Sequence, residues 1–309
     1  MSSKRYATIG GLFTNRLEFP DGRIVQPVMG GASIYVLSAY LLATDNALLI
    51  SGVGRDIMNY YGKWFQDNNI DTSGIIYKTD INEYSYVHYN PDGTYECGST
   101  YGPEFRKTSY LNVKLSLDEV EKFFDQIDGL YYGYNQSDIE RIIELKKRNN
   151  TVIMWEMPTP LAQSGPETVS DYLRAADIWS LNRPESFELF GCNDEAEVIR
   201  RISALGKPCF YRVGEKGSYM IGGHKAAFCP ALLREDGIDP TGCGNSSTAG
   251  ALYGFTEGYS LAEIAAWGNT VANFTVRQYG PYPHYDEKVR AEAKEVFAGA
   301  LENTEVFDI

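Results

Sequence analysis

Short runs of apolar, β-branched and aromatic residues recur along the chain, separated by longer stretches with helical spacing of their apolar positions. The runs predict strands at Tyr6–Ile9, Ala47–Val53, Leu130–Tyr134, Thr151–Trp155, Ile178–Leu181 and Cys209–Val213. Helix starts are marked by a Ser followed three residues later by Glu: Ser116 with Glu119, Ser137 with Glu140, and Ser260 with Glu263. The hydroxyl accepts from a first-turn backbone N–H and the carboxylate reciprocates. Strand and helix in alternation predict an α/β protein with a mainly parallel sheet wrapped by helices.

One segment breaks this rhythm. Tyr84–Glu96 reads as an alternating aromatic strand, a Pro91-Asp92-Gly93 turn and a returning strand. Paired with extended stretches such as Gly22–Val28, this hairpin forms either a small sheet standing off the core over a cleft or an ordinary edge hairpin. Pattern alone does not separate the two. No repeat, low-complexity tract or interdomain linker interrupts the chain, so residues 1–309 are expected to form one domain.

Composition narrows the function classes. Of 309 residues 43% are hydrophobic, enough for a sizeable core. Lys and Arg number 28 against 41 Asp and Glu, a net charge of −13, which opposes a general grip on the phosphate backbone of nucleic acid. The longest strongly apolar runs, such as Ala47–Val53, are far too short to span a membrane, and a soluble, unprocessed cytoplasmic protein is expected. The five cysteines are scattered without C-x-x-C spacing and the three histidines stand alone, so neither a disulfide framework nor a zinc site is supported.

The stretch from Gly237 to Gly250 carries the strongest chemical signal. Gly242 and Gly244 flank one small residue and lead into a helix of Ser, Thr, Ala and Gly, which leaves several backbone N–H groups unobstructed at a helix N-terminus. Such a terminus attracts an anion through free donors and the positive end of the helix dipole. The same glycines also suit a tight turn, and Ala249 and Gly250 also suit close helix packing. Other devices are missing: there is no G-x-x-x-x-G-K-S/T loop, no third glycine after Gly52-Val53-Gly54, no G-x-S-x-G elbow and no H-E-x-x-H.

Asp239-Pro240-Thr241-Gly242-Cys243-Gly244-Asn245 resembles the C-terminal signature of the PfkB (ribokinase-like) carbohydrate kinases, usually D-T-x-G-A-G-D before a small-residue helix. Further segments match in order and spacing. They are Gly30-Gly31-Ala32, Gly52-Val53-Gly54-Arg55-Asp56 with Gly62, Asn68 to Ile75, Asn182-Arg183-Pro184-Glu185, and Gly214-Glu215-Lys216-Gly217. The resemblance covers nearly the whole chain. It implies a three-layer α/β/α core with a small β lid whose strands fall within 13–30 and 75–105, and lids of this kind pair between subunits, which implies a homodimer.

The resemblance also implies ATP and Mg²⁺ as cofactors, with a monovalent cation beside them, and a small-molecule sugar or nucleoside as the phosphoryl acceptor. Gly242, Cys243 and Gly244 would form the anion hole. Asn182, Glu185, Arg212, Gly214, Gly217 and Asn273 would surround the nucleotide, with Asn269 and the Gly280–Pro283 loop near its base and Glu185 meeting the metal through water. Asn15, Gly30, Gly31, Tyr35 and Asp56 would lie on the substrate side. Tyr35, Phe13, Tyr84, Tyr86 and Tyr89 either stack on a sugar or nucleobase or pack the core and lid.

Departures bear on activity. The family's final Asp, which takes the acceptor's proton, is Asn245 here; Asn15 stands at a position often acidic, and Tyr35 where an Asn is usual. An amide has no lone pair basic enough for that proton, so transfer is expected to be slow. No obvious replacement base stands out: Asp239 is expected to face away in its turn, Asp56 belongs to the substrate side, and Glu156 is a candidate only by its place after the strand Thr151–Trp155. Two functions follow: a kinase for a sugar or nucleoside, or a catalytically inactive relative that binds a sugar or nucleotide. A nicotinamide-dependent dehydrogenase shares the α/β rhythm, but the chain lacks its fingerprint.

Overall fold

Strands covered by helices on both faces must be apolar on both, and successive residues of the central strands here enter two different cores. Tyr6 and Leu49 face one core, Ala7 and Leu48 the other. The computed structural model describes residues 4–91 and 94–309, so Asp92 and Gly93 of the expected hairpin turn lie outside the described residues, as do residues 1–3. The chain opens with β1 (Tyr6–Ile9), β2 (Phe13–Glu18), β3 (Ile24–Gly30), α1 (Ala32–Leu41), β4 (Ala47–Gly54) and α2 (Ile57–Asp67). It continues through β5 (Ile75–Thr79), β6 (Tyr84–Tyr89), β7 (Tyr95–Ser99), α3 (Pro103–Val113), α4 (Leu117–Glu121), β8 (Gly129–Tyr132), α5 (Ile139–Lys146) and β9 (Val152–Glu156). After α6 (Pro166–Leu173) come β10 (Ile178–Asn182), α7 (Arg183–Phe190), α8 (Glu195–Ala204), β11 (Cys209–Arg212), β12 (Gly217–Gly222) and β13 (Lys225–Pro230). Helices α9 (Cys243–Glu257), α10 (Leu261–Thr275) and α11 (Glu287–Glu302) precede the last strand, β14 (Glu305–Asp308).

Among the described residues, ten strands form one sheet in the order β14-β13-β12-β11-β10-β9-β8-β1-β4-β5. It is parallel from β5 to β11 and antiparallel from β11 to β14. Helices α1, α2 and α9 to α11 cover one face and α4 to α8 the other, giving three layers. Because β8, β9, β10 and β11 run parallel, Tyr132, Glu156, Asn182 and Arg212 end at one edge of the sheet, where open α/β sheets bind ligands. Helix α9 packs along α10 closely enough that a Cβ on Gly250 would stand 3.0 Å from Val271 Cγ2, so the small residues of α9 do serve helix packing.

The aromatic hairpin belongs to a separate four-stranded sheet in the order β3-β2-β6-β7. All four strands fall within the expected 13–30 and 75–105; inside the second range Ile75–Thr79 pairs instead with β4 as the edge of the main sheet, and α3 begins at Pro103. Asn82 fastens this lid to the core. Its side chain accepts from Gly54 N at 2.9 Å and donates to Leu12 O at 2.8 Å, while its own N–H donates to Asp56 Oδ1 at 2.7 Å. The boxes at Ser116/Glu119 and Ser260/Glu263 form as expected. Ser137 and Glu140 do not pair. Asn135 and Asp138 make the reciprocal bonds two residues earlier, and Glu140 is drawn to Arg174 instead.

Replacing Asn82 with Ala leaves Gly54 N and Leu12 O unpaired at the lid hinge. The expected cost is roughly 2–4 kcal/mol in urea unfolding, and a loss below about 0.5 kcal/mol would show that the hinge is not held there.

Candidate active site

The turn before α9 is built around two constraints. Asp239 is buried and its Oδ1 accepts from Thr241 N at 2.9 Å, which shapes the turn. Gly242 then adopts φ +82°, and a Cβ there would stand 2.2 Å from the Tyr35 ring, so glycine is required twice over. Cys243 N donates back to Pro240 O at 3.1 Å and Ser246 N to Gly242 O at 2.9 Å. Between them the amides of Gly244 and Asn245 have no acceptor among the described residues. No acidic residue sits in the first turn to quench the helix dipole. The 15-residue helix therefore presents free donors at its positive end.

These donors open on a cleft of about 710 Å³. Of the residues singled out from sequence, Asn182, Arg212, Gly214, Gly217, Cys243, Gly244, Asn269 and Asn273 line it. Gly214 and Gly217 shape its wall at φ +65° and +131°, and a Cβ on Gly217 would meet Cys229 O at 2.1 Å. Asn269 and Asn273 are buried and already engaged: their amides donate to Pro230 O at 3.0 Å and Leu232 O at 2.9 Å, pinning the segment after β13 along the cleft. Glu185 does not line the cleft. With Asn182 it forms the capping box of α7, and its other oxygen accepts from Thr159 Oγ1 at 2.8 Å. The Cys243 thiol is pushed up to about 12, first by burial and then by Asp239, so it stays neutral and is no nucleophile.

Arg212, Glu156, Tyr131 and Asn245 meet beside the helix end. Arg212 Nη2 lies 2.5 Å from Glu156 Oε1, with the two side chains only 13% and 16% exposed. Glu156 Oε2 accepts from the Tyr131 hydroxyl and, at 3.0 Å, from Asn245 Nδ2, which also donates to Tyr131 Oη at 3.3 Å. Burial, and then the Glu156 charge, hold the Tyr131 phenol far above its ordinary range, so it remains a donor. Arg212 Nη1 occupies the space beside Gly244, 2.3 Å from where a Cβ would stand, and Arg212 Nε is buried without a partner. Sequence reasoning missed Tyr131 and offered Glu156 only as a stand-in for the missing base, by its place after the strand Thr151–Trp155. The available signal was their place at the ends of adjacent parallel strands.

On the other side, Asn15, Gly30 and Gly31 come together: a Cβ on Gly30 would meet Asn15 Nδ2 at 2.0 Å, and one on Gly31, at φ +102°, would meet Gly11 O at 2.3 Å. Tyr35 is buried, its hydroxyl unpartnered and its pKa raised by burial and by Asp239. Asp56 heads α2 and faces the lid hinge through Asn82 rather than meeting these residues. The lid tyrosines pack within the fold: Tyr84 edge-on to Tyr60, Tyr86 over Gly98, and Tyr89 on Phe19. Tyr89 also hydrogen-bonds Thr241 Oγ1 at 3.1 Å, tying the lid to the α9 turn. A second cavity of about 550 Å³ lies at the ends of β1, β4 and β8, walled by Gly10, Gly11, Phe13, Tyr110 and Tyr132. Among the described residues no group of three or more His, Cys, Asp and Glu converges as a metal cage, and no helix is long and apolar enough to cross a membrane.

A three-layer α/β core with a separate β lid is the architecture of the ribokinase-like folds. Residues 22–288 match the pfkB family of carbohydrate kinases, and the chain belongs to that family. It is 24% identical over 283 residues to a cytidine kinase of Thermococcus kodakarensis, covering 89% of this chain and 96% of that protein. A putative ribokinase II from E. coli, solved with ATP and Mg²⁺, superposes with a TM-score of 0.75 at 16% identity, covering 96% of this chain and all of that one. A Burkholderia thailandensis nucleoside kinase in complex with inosine gives 0.69 at 17% identity, covering 96% and 97% of the two chains.

Substituting Val for Gly244 displaces the Arg212 guanidinium and shields the free amides. Affinity for ATP in the presence of Mg²⁺, measured by calorimetry, is expected to fall at least about tenfold. An unchanged affinity would contradict an anion site at this helix end.

Proposed function

We propose that this protein is an ATP-dependent nucleoside kinase, moving the γ-phosphoryl group to a hydroxyl of the ribosyl moiety. The observation that carries the nucleoside reading is the second cavity, about 550 Å³, with aromatic walls at Phe13, Tyr110 and Tyr132 and with Gly10 and Gly11 in its lining. A free sugar fills a fraction of it, whereas an aromatic base finds flat apolar walls and polar groups at Lys114, Ser116, Asn135 and Asp138. The cytidine kinase match over most of both chains supports the same reading.

The roles of the chain's residues follow from their chemistry. The amides of Gly244 and Asn245 and the end of α9 hold the transferring phosphoryl group, and Arg212 adds a buried positive charge beside it. Asn182, Gly214, Gly217 and Asn273 wall the nucleotide cleft. Mg²⁺, when bound, neutralises charge on the phosphates. Hard oxygen donors suit it; both oxygens of Glu185 are already taken, by Thr159 Oγ1 and Asn182 N, so phosphate and water would be the direct ligands and Glu185 would reach the ion only through water. The lid, fastened through Asn82 and touching Thr241 through Tyr89, keeps water from the transfer.

The test is a panel of ribonucleosides beside free ribose and fructose with Mg·ATP, read by ADP formation and by mass gain of the acceptor. A ribonucleoside is expected to exceed the free sugars in kcat/KM by at least about 100-fold. Equal or higher kcat/KM for a free sugar would overturn the nucleoside reading.

A further inference from the structure

We propose that Glu156, rather than the helix residue Asn245, takes the proton of the acceptor hydroxyl, with Asn245 and Arg212 as the positioning residues that hold its carboxylate. The proposal rests on the kinase reading above.

An acceptor hydroxyl must lose its proton as its oxygen bonds to phosphorus. The residue beside the free amides is Asn245, and an amide cannot keep that proton at neutral pH. A carboxylate offers only acceptors, so the amide nitrogen of Asn245 is the end that faces Glu156, at 3.0 Å. Asn245 thus points at a carboxylate one strand-end away.

Other nearby carboxylates are committed to the fold. Asp239 caps its own turn through Thr241 N, Asp56 receives Asn82 N at the lid hinge, and Glu185 closes the α7 capping box. Glu156 differs, because every donor to its carboxylate is a side chain: Tyr131 from β8, Asn245 from α9 and Arg212 from β11. It caps no helix and shapes no turn. Burying a carboxylate within such a cluster is costly unless the charge is needed there.

The identity of residue 245 follows from this arrangement. An Asp at that place would set a second carboxylate about 3 Å from Glu156, and two carboxylates so close share one proton. Asn leaves a single carboxylate, held by side-chain donors. Arg212 links it to the anion site, with Nη2 on Glu156 Oε1 and Nη1 beside Gly244. An arriving phosphoryl group competes for the same guanidinium and loosens its hold on Oε1.

The step balances as follows. The acceptor oxygen forms a bond to the γ-phosphorus and the bond from that phosphorus to the β,γ-bridging oxygen breaks. ADP leaves with that electron pair. The hydroxyl proton passes to the Glu156 carboxylate and then to water.

Four chains are compared on the nucleoside that is turned over best: the natural protein, Glu156→Gln, Asn245→Asp and the double variant. Glu156→Gln is expected to lower kcat by about 10²–10⁴-fold while changing the KM for ATP by less than about threefold, with kcat read below a thermal midpoint that falls because Arg212 loses its buried partner. Asn245→Asp is expected to bring no gain, and the double variant, which restores one carboxylate to the pair, to recover at least about tenfold over Glu156→Gln. Glu156→Gln within about threefold of the natural kcat, or Asn245→Asp about tenfold or more above it, would overturn the proposal and leave the kinase reading standing. Should Glu156→Gln fail to fold, Asn245→Asp alone decides by the same criterion. A natural protein that phosphorylates no acceptor overturns the kinase reading and this proposal together.

Discussion

A buried ion pair at the carboxyl edge of the sheet, Arg212 with Glu156, organises everything around it. Taking two charges from water costs several kcal/mol for each ion unless good geometry and further hydrogen bonds offset it. Here the Tyr131 hydroxyl and the Asn245 amide supply those bonds, so strands β8, β9 and β11 and helix α9 are registered against one another by a single carboxylate. Removing either charge strands the other in a buried site. The parallel sheet makes the cluster feasible by delivering the ends of neighbouring strands to one edge.

Glycines open the space that the cluster needs. At Gly242 and Gly244 a side chain would strike Tyr35 or Arg212, and at Gly31 it would strike Gly11 O. The α9 turn and α1 therefore meet through the Tyr35 ring, against which Gly242 packs without a side chain of its own. The lid joins the same turn by the Tyr89 contact to Thr241, so the lid and the head of α9 are mechanically connected.

Much of the fold was legible because parallel strands buried on both faces leave dense apolar runs, and because Gly242-Cys243-Gly244 heads a helix of small residues. The lid hairpin was legible as a break in the α/β rhythm. Its lower bound was not, since the apolar residues of Ile75–Thr79 fit either sheet and only pairing with β4 decides. The Asn182/Glu185 spacing read as a site motif, and its side chains form the cap of α7. Asn269 and Asn273 looked like ordinary helix asparagines, whereas they anchor the cleft wall by bonds to residues about forty positions away. The Tyr131–Glu156–Asn245 contacts span 25 and 89 positions, a separation that no local pattern encodes and that strand order alone brings together.

The central claim is that one site joins the free amides of α9, Arg212 and Glu156 around a phosphoryl group and its acceptor. A crystal structure with Mg²⁺, a non-hydrolysable ATP analogue and the preferred nucleoside tests it most directly. The account predicts the terminal phosphate on the amides of Gly244 and Asn245, and the acceptor hydroxyl within roughly 3 Å of a Glu156 oxygen. A terminal phosphate bound away from α9, or an acceptor hydroxyl turned away from Glu156, would contradict it.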